Sequence, residues 1–309
     1  MYKIKTMNHI SPYGLQKLEE RGCVVGEDIQ APDGLILRSA DLHSYAFEPS
    51  LIAIARSGAG TNNIPLEDCC RRGIVVFNSP GANAEAVKEQ ILCSLVLSSR
   101  DVLGSIDWVK GLNGRGKDIP ALVEKGKSQF AGPELMGKTL GVIGLGAIGR
   151  KVASIAQVFG CRVIYYSTSG AHDDPDYERV DLYRLLKDSD VVSIHAPLNE
   201  ATENLMNIET FANMKRNAIL INVGRGSIVN ERDLCCALRE GLIAGAALDV
   251  LSSEPIRSDS PLLKMADDDR LYITPHIAWA SKEARTRLIG LVQKNIASYL
   301  EGGMENRVV

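Results

Sequence analysis

The chain is 309 residues long, which at about 100–200 residues per domain is room for two domains and too much for a lone small module. Hydrophobic residues make up 45% and charged residues 24%, enough apolar material for a sizeable core and no composition for a disordered chain. With 35 Lys and Arg against 38 Asp and Glu the net charge is −3, so no global field draws the protein to nucleic acid or to an anionic membrane.

In chain order, KIKTMN reads as a strand, 15–21 as a helix, and LILRS, IAIARSG and GIVVFNSP as further strands, an alternation that predicts a small α/β unit. From 83 to 110 the recurrence of Ala84, Val87, Ile91, Leu95 and Leu97 predicts one long helix carrying the chain into a second domain. Its most apolar stretch is broken by Cys93 and Ser94 and falls far short of the ~20 residues a membrane helix needs. Residues 111–137, rich in Gly and Lys, form a loop-and-arm insertion without an assigned structure. After Thr139, the strands TLGVIGLG, RVIYYS, VVSIHAP, AILINVG, GAALDVL and LYITPHI alternate with helices over 147–159, 181–189, 208–214 and 230–240. Near-continuous apolar strands between helices argue for a doubly wound parallel sheet covered on both faces. A last helix near 283–300 returns to the first domain, so the expected division is 1–97 plus 280–309 against 98–279.

MYKIKTMNHISPYG has neither the apolar block of a secretory signal nor the character of a transit peptide. The seven cysteines form an odd set without a CxxC ladder, so reduced thiols in the cytoplasm and no metal site are expected.

Gly144-Leu-Gly146-Ala-Ile-Gly149 follows a predicted strand and opens a predicted helix, the context in which GxGxxG points to a dinucleotide. Gly144 permits the tight turn, Gly146 lets a pyrophosphate approach, and Gly149 lets helix and sheet pack closely; the phosphates face the helix start near Ala147. The acidic residue that closes the second strand and holds the ribose hydroxyls is missing. That strand ends at Ser167, 167 − 144 = 23 positions after the first glycine, followed by Thr168 and Ser169, while Asp173 and Asp174 lie farther along. Losing that carboxylate removes the repulsion of a 2′-phosphate, and Arg150 and Lys151 are the nearest cations. NAD with tolerance of NADP is therefore expected.

Arg225, Glu254 and His276 fall at or just past the ends of successive predicted strands, where ligands bind in open α/β sheets. Hydride transfer needs a cation for the substrate carboxylate and carbonyl, a proton donor, and an anion to orient that donor; these residues suit the roles as Arg225, His276 and Glu254. His195, in SIHAP, competes but is read as structural or cofactor-lining. Arg38 and Arg56 end predicted strands in the first domain and suit an anionic substrate, and the backbone of Ser57, Gly58, Ala59 and Gly60 offers N–H groups to a carboxylate.

GLGAIG, NVGRGSIV, ALDV..SEP and TPHIAWAS, in this order and spacing, resemble the D-isomer-specific 2-hydroxyacid dehydrogenases over essentially the whole chain. The resemblance implies two Rossmann-like domains with an active-site cleft between them, a homodimer, NAD or NADP, and a small-molecule substrate. It implies catalytic roles for Arg225, Glu254 and His276, and a cofactor lined by Ala147, Ile148, Ala196, Pro197, Val223, Gly224 and Asp249. The first domain is most similar to D-3-phosphoglycerate dehydrogenases, which implies serine biosynthesis and substrate contacts by Arg38 and Arg56. TPHIAWASKEA is closer to the glycerate dehydrogenases and hydroxypyruvate/glyoxylate reductases, and without a C-terminal regulatory domain no serine feedback is expected. Dinucleotide-sensing corepressors of the same family are the non-enzymatic alternative.

Overall fold

The computed structural model describes every residue except His9, Ser11, Thr168 and 170–173, together with the side chains of 12–14. The chain divides into two compact units, Met1–Ala86 with Trp279–Val309, and Val87–Ala278.

The first unit contains β1 (Lys3–Thr6), α1 (Pro12–Glu19), β2 (Val24–Gly26), β3 (Gly34–Leu37), β4 (Ala53–Arg56), α2 (Leu66–Arg71) and β5 (Val75–Phe77), and it closes with a helix over Lys282–Leu300. Its five strands lie in the order β2-β1-β3-β4-β5, all parallel. The period-2 alternation of each strand sends its apolar residues to two faces. Ile36, Ala53, Ala55 and Phe77 pack with Ile289, Val292 and Ile296 of the last helix, whereas Leu35, Leu37, Ile54 and Val76 pack with Leu42, Ile64 and Cys69. Strand β2 is absent from the sequence-based expectation because three residues carry no readable alternation.

The second unit runs α3 (Ala84–Ser99), α4 (Val102–Lys110), α5 (Ile119–Gly126), β6 (Thr139–Ile143), α6 (Ala147–Val158), β7 (Arg162–Tyr166), β8 (Glu178–Arg179), α7 (Leu182–Asp188), β9 (Val191–Ile194), α8 (Ile208–Ala212), β10 (Ile219–Asn222), α9 (Glu231–Arg239), β11 (Gly245–Leu248) and β12 (Leu271–Ile273). The seven strands are parallel in the order β12-β11-β10-β9-β6-β7-β8, the doubly wound arrangement with its switch point between β6 and β9. Leu140 and Val142 face a layer that holds Val87, Ile91, Leu95, Val152 and Ala156, and Ile143, Val192 and Ile194 face Leu185, Leu186 and Phe211.

Two expectations need correction. The single helix over 83–110 is two helices: Asp101 caps α4 by accepting from the Gly104 amide at 2.8 Å, and the chain breaks at Arg100. The division between units falls after Ala86 rather than 97, because Val87, Ile91 and Leu95 bury their side chains against the second sheet. The insertion over 111–137 carries α5 between two short 3-10 turns.

Candidate functional site

The loops that follow β6, β9 and β10 meet on one side of the second sheet. Gly144 takes φ +93°, which an L side chain rarely adopts, and a Cβ there would lie 2.7 Å from the Ala196 amide nitrogen. A Cβ at Gly149 would fall 2.2 Å from the Gly144 carbonyl oxygen, and one at Gly224 3.2 Å from the Ala196 carbonyl oxygen. At Gly146, by contrast, nothing lies within 4 Å. Gly146 is the N-cap of α6 and supplies no side-chain hydrogen bond to its first amides. The glycine cradle is therefore closed where backbone packs on backbone and open where a phosphate would meet the helix start, a fit to the pyrophosphate of a dinucleotide. Ala147 and Ile148 begin that helix, and Ala196, Pro197 and Val223 stand on the adjoining loops.

Ser167 follows β7, with its Oγ 3.2 Å from that of Ser169; Thr168 and Asp173 lie outside the described residues. The acidic group of this region is Asp174, whose buried carboxylate pairs with Arg150 and whose amide donates to the Tyr165 hydroxyl at 3.0 Å. Arg150 is thus tied to a carboxylate rather than left available as a cation for a 2′-phosphate. His195 sits beside the cradle, its Nε2 2.9 Å from the Ser193 Oγ and its Nδ1 enclosed without a hydrogen-bond partner. Burial pulls its pKa down to about 3, so it is neutral at physiological pH and is no proton donor there.

Arg225, Glu254 and His276 come together through backbone contacts. Asn222, fully buried, accepts from the Gly224 amide at 3.0 Å and donates to the Arg225 carbonyl at 3.0 Å. Gly226 packs so tightly on the loop after β11 that a Cβ would lie 1.8 Å from the Leu251 carbonyl carbon. Glu254 Oε1 accepts from the Leu251 amide at 3.0 Å, and Oε2 is 2.6 Å from His276 Nδ1. His276 has φ +54°, held by donation from its amide to the Asp249 and Thr274 carbonyls, each at 2.9 Å. Asp249, expected along the cofactor, directs its carboxylate at this turn, accepting from the Thr274 hydroxyl at 2.6 Å and from the Ile277 and Ala278 amides at 2.9 Å. Its geometry is that of a brace for His276.

Burial raises the Glu254 pKa, but the hydrogen bonds from His276 and Leu251 and the charges of His276 and Arg225 outweigh it, leaving the carboxyl below its ordinary value. Burial lowers the Arg225 guanidinium, partly offset by Glu254, and its Nη1 donates to the Gly224 carbonyl at 2.7 Å. A cation, an imidazole and an anion that grips its Nδ1 are what reduction of a carbonyl beside a carboxylate requires.

In the first unit Leu37 pairs in register with Arg56, so Arg38 and Arg56 leave adjacent strand ends. The Arg38 guanidinium lies 4.8 Å from the centroid of the Trp279 ring. Arg56 donates from Nε to Asn63 Oδ1 at 3.2 Å and lies over Gly58, where a Cβ would come 2.0 Å from Nη1. Ser57 and Gly58 form the turn beneath it, anchored by the Ser79 amide donating to the Gly58 carbonyl at 2.9 Å. Nothing in the sequence singles out Trp279 or Asn63, and Asp174 is noted there only as lying beyond the second strand, because each meets its partner through tertiary structure alone.

Residues 106–278 match the family described as D-isomer specific 2-hydroxyacid dehydrogenase, NAD binding domain. The chain belongs to this family. It is accordingly an NAD(P)-dependent oxidoreductase, with the second unit as its NAD-binding domain. It is 35% identical to a glyoxylate reductase of Korarchaeum cryptofilum over 286 residues, 92% of this chain and 83% of that one. A D-lactate dehydrogenase of Aquifex aeolicus complexed with NAD and lactic acid matches with TM-score 0.83 and 26% identity, covering 99% of each chain. An NADPH-dependent glyoxylate/hydroxypyruvate reductase of Sinorhizobium meliloti, in complex with NADP and malonate, matches with TM-score 0.83 and 26% identity, covering 100% of this dehydrogenase and 97% of that chain. Among the described residues no helix is long and apolar enough to cross a membrane.

Proposed function

We propose that this dehydrogenase reduces small 2-oxo acids of the glyoxylate and hydroxypyruvate type to D-2-hydroxy acids. The observation that carries the reading is the 2.6 Å contact between His276 Nδ1 and Glu254 beside Arg225. With Nδ1 gripped by the carboxylate, Nε2 of the imidazolium is the atom that protonates the carbonyl oxygen as negative charge grows on it. Glu254 remains ionised and stabilises the imidazolium, and Arg225 holds the substrate carboxylate and polarises the carbonyl. When bound, the reduced nicotinamide supplies the hydride. Gly144, Gly146, Gly149, Ala147, Ile148, Ala196, Pro197, Val223 and Gly224 would hold the dinucleotide, with Ser167 toward the ribose. Similarity to glyoxylate reductases supports this substrate range above the phosphoglycerate range that the first unit's sequence suggests.

A second reading, oxidation of D-3-phosphoglycerate in serine biosynthesis, rests on one observation: Arg38 and Arg56 stand at adjacent strand ends, where two cations suit a doubly anionic substrate. Initial rates decide between the two, measured as NADH oxidation with glyoxylate and with hydroxypyruvate and as NAD reduction with D-3-phosphoglycerate. We expect the reductase kcat/KM to exceed the phosphoglycerate value at least tenfold; the reverse order would install the second reading.

The seven free cysteines support a cytoplasmic setting. A homodimer is supported by α4 and α5, which have no buried residue and expose Leu103, Ile106, Val109 and Leu122. Sedimentation equilibrium of wild type against Ile106→Arg tests it, with a dimer expected to become a monomer; a wild-type monomer would refute it.

A further inference from the structure

Arg150 lies in the first turn of α6, whose start faces the pyrophosphate seat, and the Gly144 amide donates to the Tyr166 carbonyl at 2.9 Å, so the glycine turn lies against the end of β7. In a doubly wound sheet this strand end reads the adenosine ribose: a carboxylate accepts from the hydroxyls of NAD, and an arginine accommodates the 2′-phosphate of NADP. The residues that follow β7 are Ser167, Thr168 and Ser169, whose hydroxyls carry no charge. Arg150 meets Asp174 instead. The two ends of that ion pair are unequal, since the Asp174 side chain is 1% exposed and that of Arg150 54%. Asp174 is also fixed where it stands, its amide donating to the Tyr165 hydroxyl at 3.0 Å and its Oδ1 accepting from the Asp176 amide at 2.9 Å, while Oδ2 takes Arg150. A buried carboxylate stripped of its counter-ion is costly, far more so than a half-exposed arginine stripped of its anion. A 2′-phosphate could therefore recruit Arg150 only by stranding Asp174, and the intact pair offers it no net charge.

We propose that Asp174 is a positioning residue for cofactor choice: by holding Arg150 it withholds that guanidinium from the 2′-phosphate of NADP(H). The inference rests on the dinucleotide seat assigned to the glycine turn and is independent of which oxo acid is reduced.

Dissociation constants for NADH and NADPH, measured without substrate from the enhancement of nicotinamide fluorescence, test the proposal in wild type, Asp174→Asn and Asp174→Asn/Arg150→Gln. Asparagine keeps the size of the side chain and an oxygen for the Asp176 amide, but it needs no counter-ion. In Asp174→Asn the released guanidinium should tighten NADPH binding about 10- to 150-fold, the range of a charge-assisted hydrogen bond, with NADH affinity within about threefold of wild type. Arg150→Gln in that background should abolish the gain, which separates an effect carried by the arginine from relief of repulsion by Asp174 itself. Wild type should bind NADPH no more tightly than NADH, an outcome that needs no variant to fold. A wild type that prefers NADPH, an unchanged NADPH to NADH ratio in Asp174→Asn, or a gain that survives in the double variant would each overturn the proposal. Wild type that binds neither dinucleotide would overturn the seat and the proposal together, whereas both bound at a ratio that no substitution moves would overturn the proposal alone.

Discussion

Glu254→Gln removes a negative charge while keeping the shape of the side chain, and the consequence follows from the geometry around His276. With Oε2 2.6 Å from Nδ1, the centres of charge lie about 4 Å apart, worth about 4 kcal/mol at an effective dielectric near 20. The side chains are 40% and 35% exposed, so solvent screens the pair, and the loss is better set by a charge-assisted hydrogen bond, about 1.5–3 kcal/mol. Because the imidazole is charged when it donates its proton, the loss is felt in the barrier: kcat for 2-oxo acid reduction should fall about 10- to 150-fold, with NADH affinity unchanged. The pH dependence carries a sign. Glu254 titrates below its ordinary value, so in wild type the pair persists as pH falls through the usual carboxylate range and is lost only below it. Initial rates of NADH oxidation with glyoxylate, set beside NADH dissociation constants for both proteins, read the loss. A variant whose kcat stays within twofold of wild type would refute the assigned role.

Two further outcomes follow from close approaches and a third from charge. Gly58 takes φ +159°, which L side chains rarely adopt, and a Cβ there would lie 2.0 Å from Arg56 Nη1, so Gly58→Ala should lower Tm through backbone strain and raise substrate KM about tenfold or more as the guanidinium is displaced. An unchanged KM would show that Arg56 does not meet the substrate. Gly149→Ala places its Cβ 2.2 Å from the Gly144 carbonyl oxygen, which is backbone and cannot swing away; about 1–3 kcal/mol of overpacking should lower Tm and weaken NADH binding in a fluorescence titration. Ser167→Asp adds a carboxylate at the end of β7 that repels a 2′-phosphate, so the kcat/KM ratio of NADH to NADPH should rise by about tenfold or more; an unchanged ratio would mean Ser167 does not face the ribose.

The parallel sheet of the second unit is legible in the sequence because its strands are apolar on both faces, and Val142, Ile143, Val192, Leu220 and Ile221 are buried to the last few per cent. GLGAIG could be read for the same reason that it folds as it does: Gly144 and Gly149 each stand where backbone meets backbone. Strand-end placement likewise brought Arg225, Glu254 and His276 into one group. What escapes the sequence is partnership between distant residues. Nothing near Arg150 announces Asp174, 24 positions away, and nothing near Arg38 announces Trp279. Asp249 reads as a cofactor residue from its motif, while its carboxylate is occupied by the turn that holds His276. The break between α3 and α4 is equally hidden, since helical spacing continues through Arg100 and only the Asp101 cap and the close approach of Gly132 to the Ser99 carbonyl, 1.9 Å from an added Cβ, end it.

The central claim is that His276, oriented by Glu254, is the proton donor in reduction of a 2-oxo acid. Turnover of glyoxylate by wild type and by His276→Ala, with NADH dissociation constants measured on the same preparations, tests it most directly. Wild type should oxidise NADH and the variant should lose about 10²- to 10⁴-fold in kcat with its NADH affinity intact. Full turnover by His276→Ala would contradict the account.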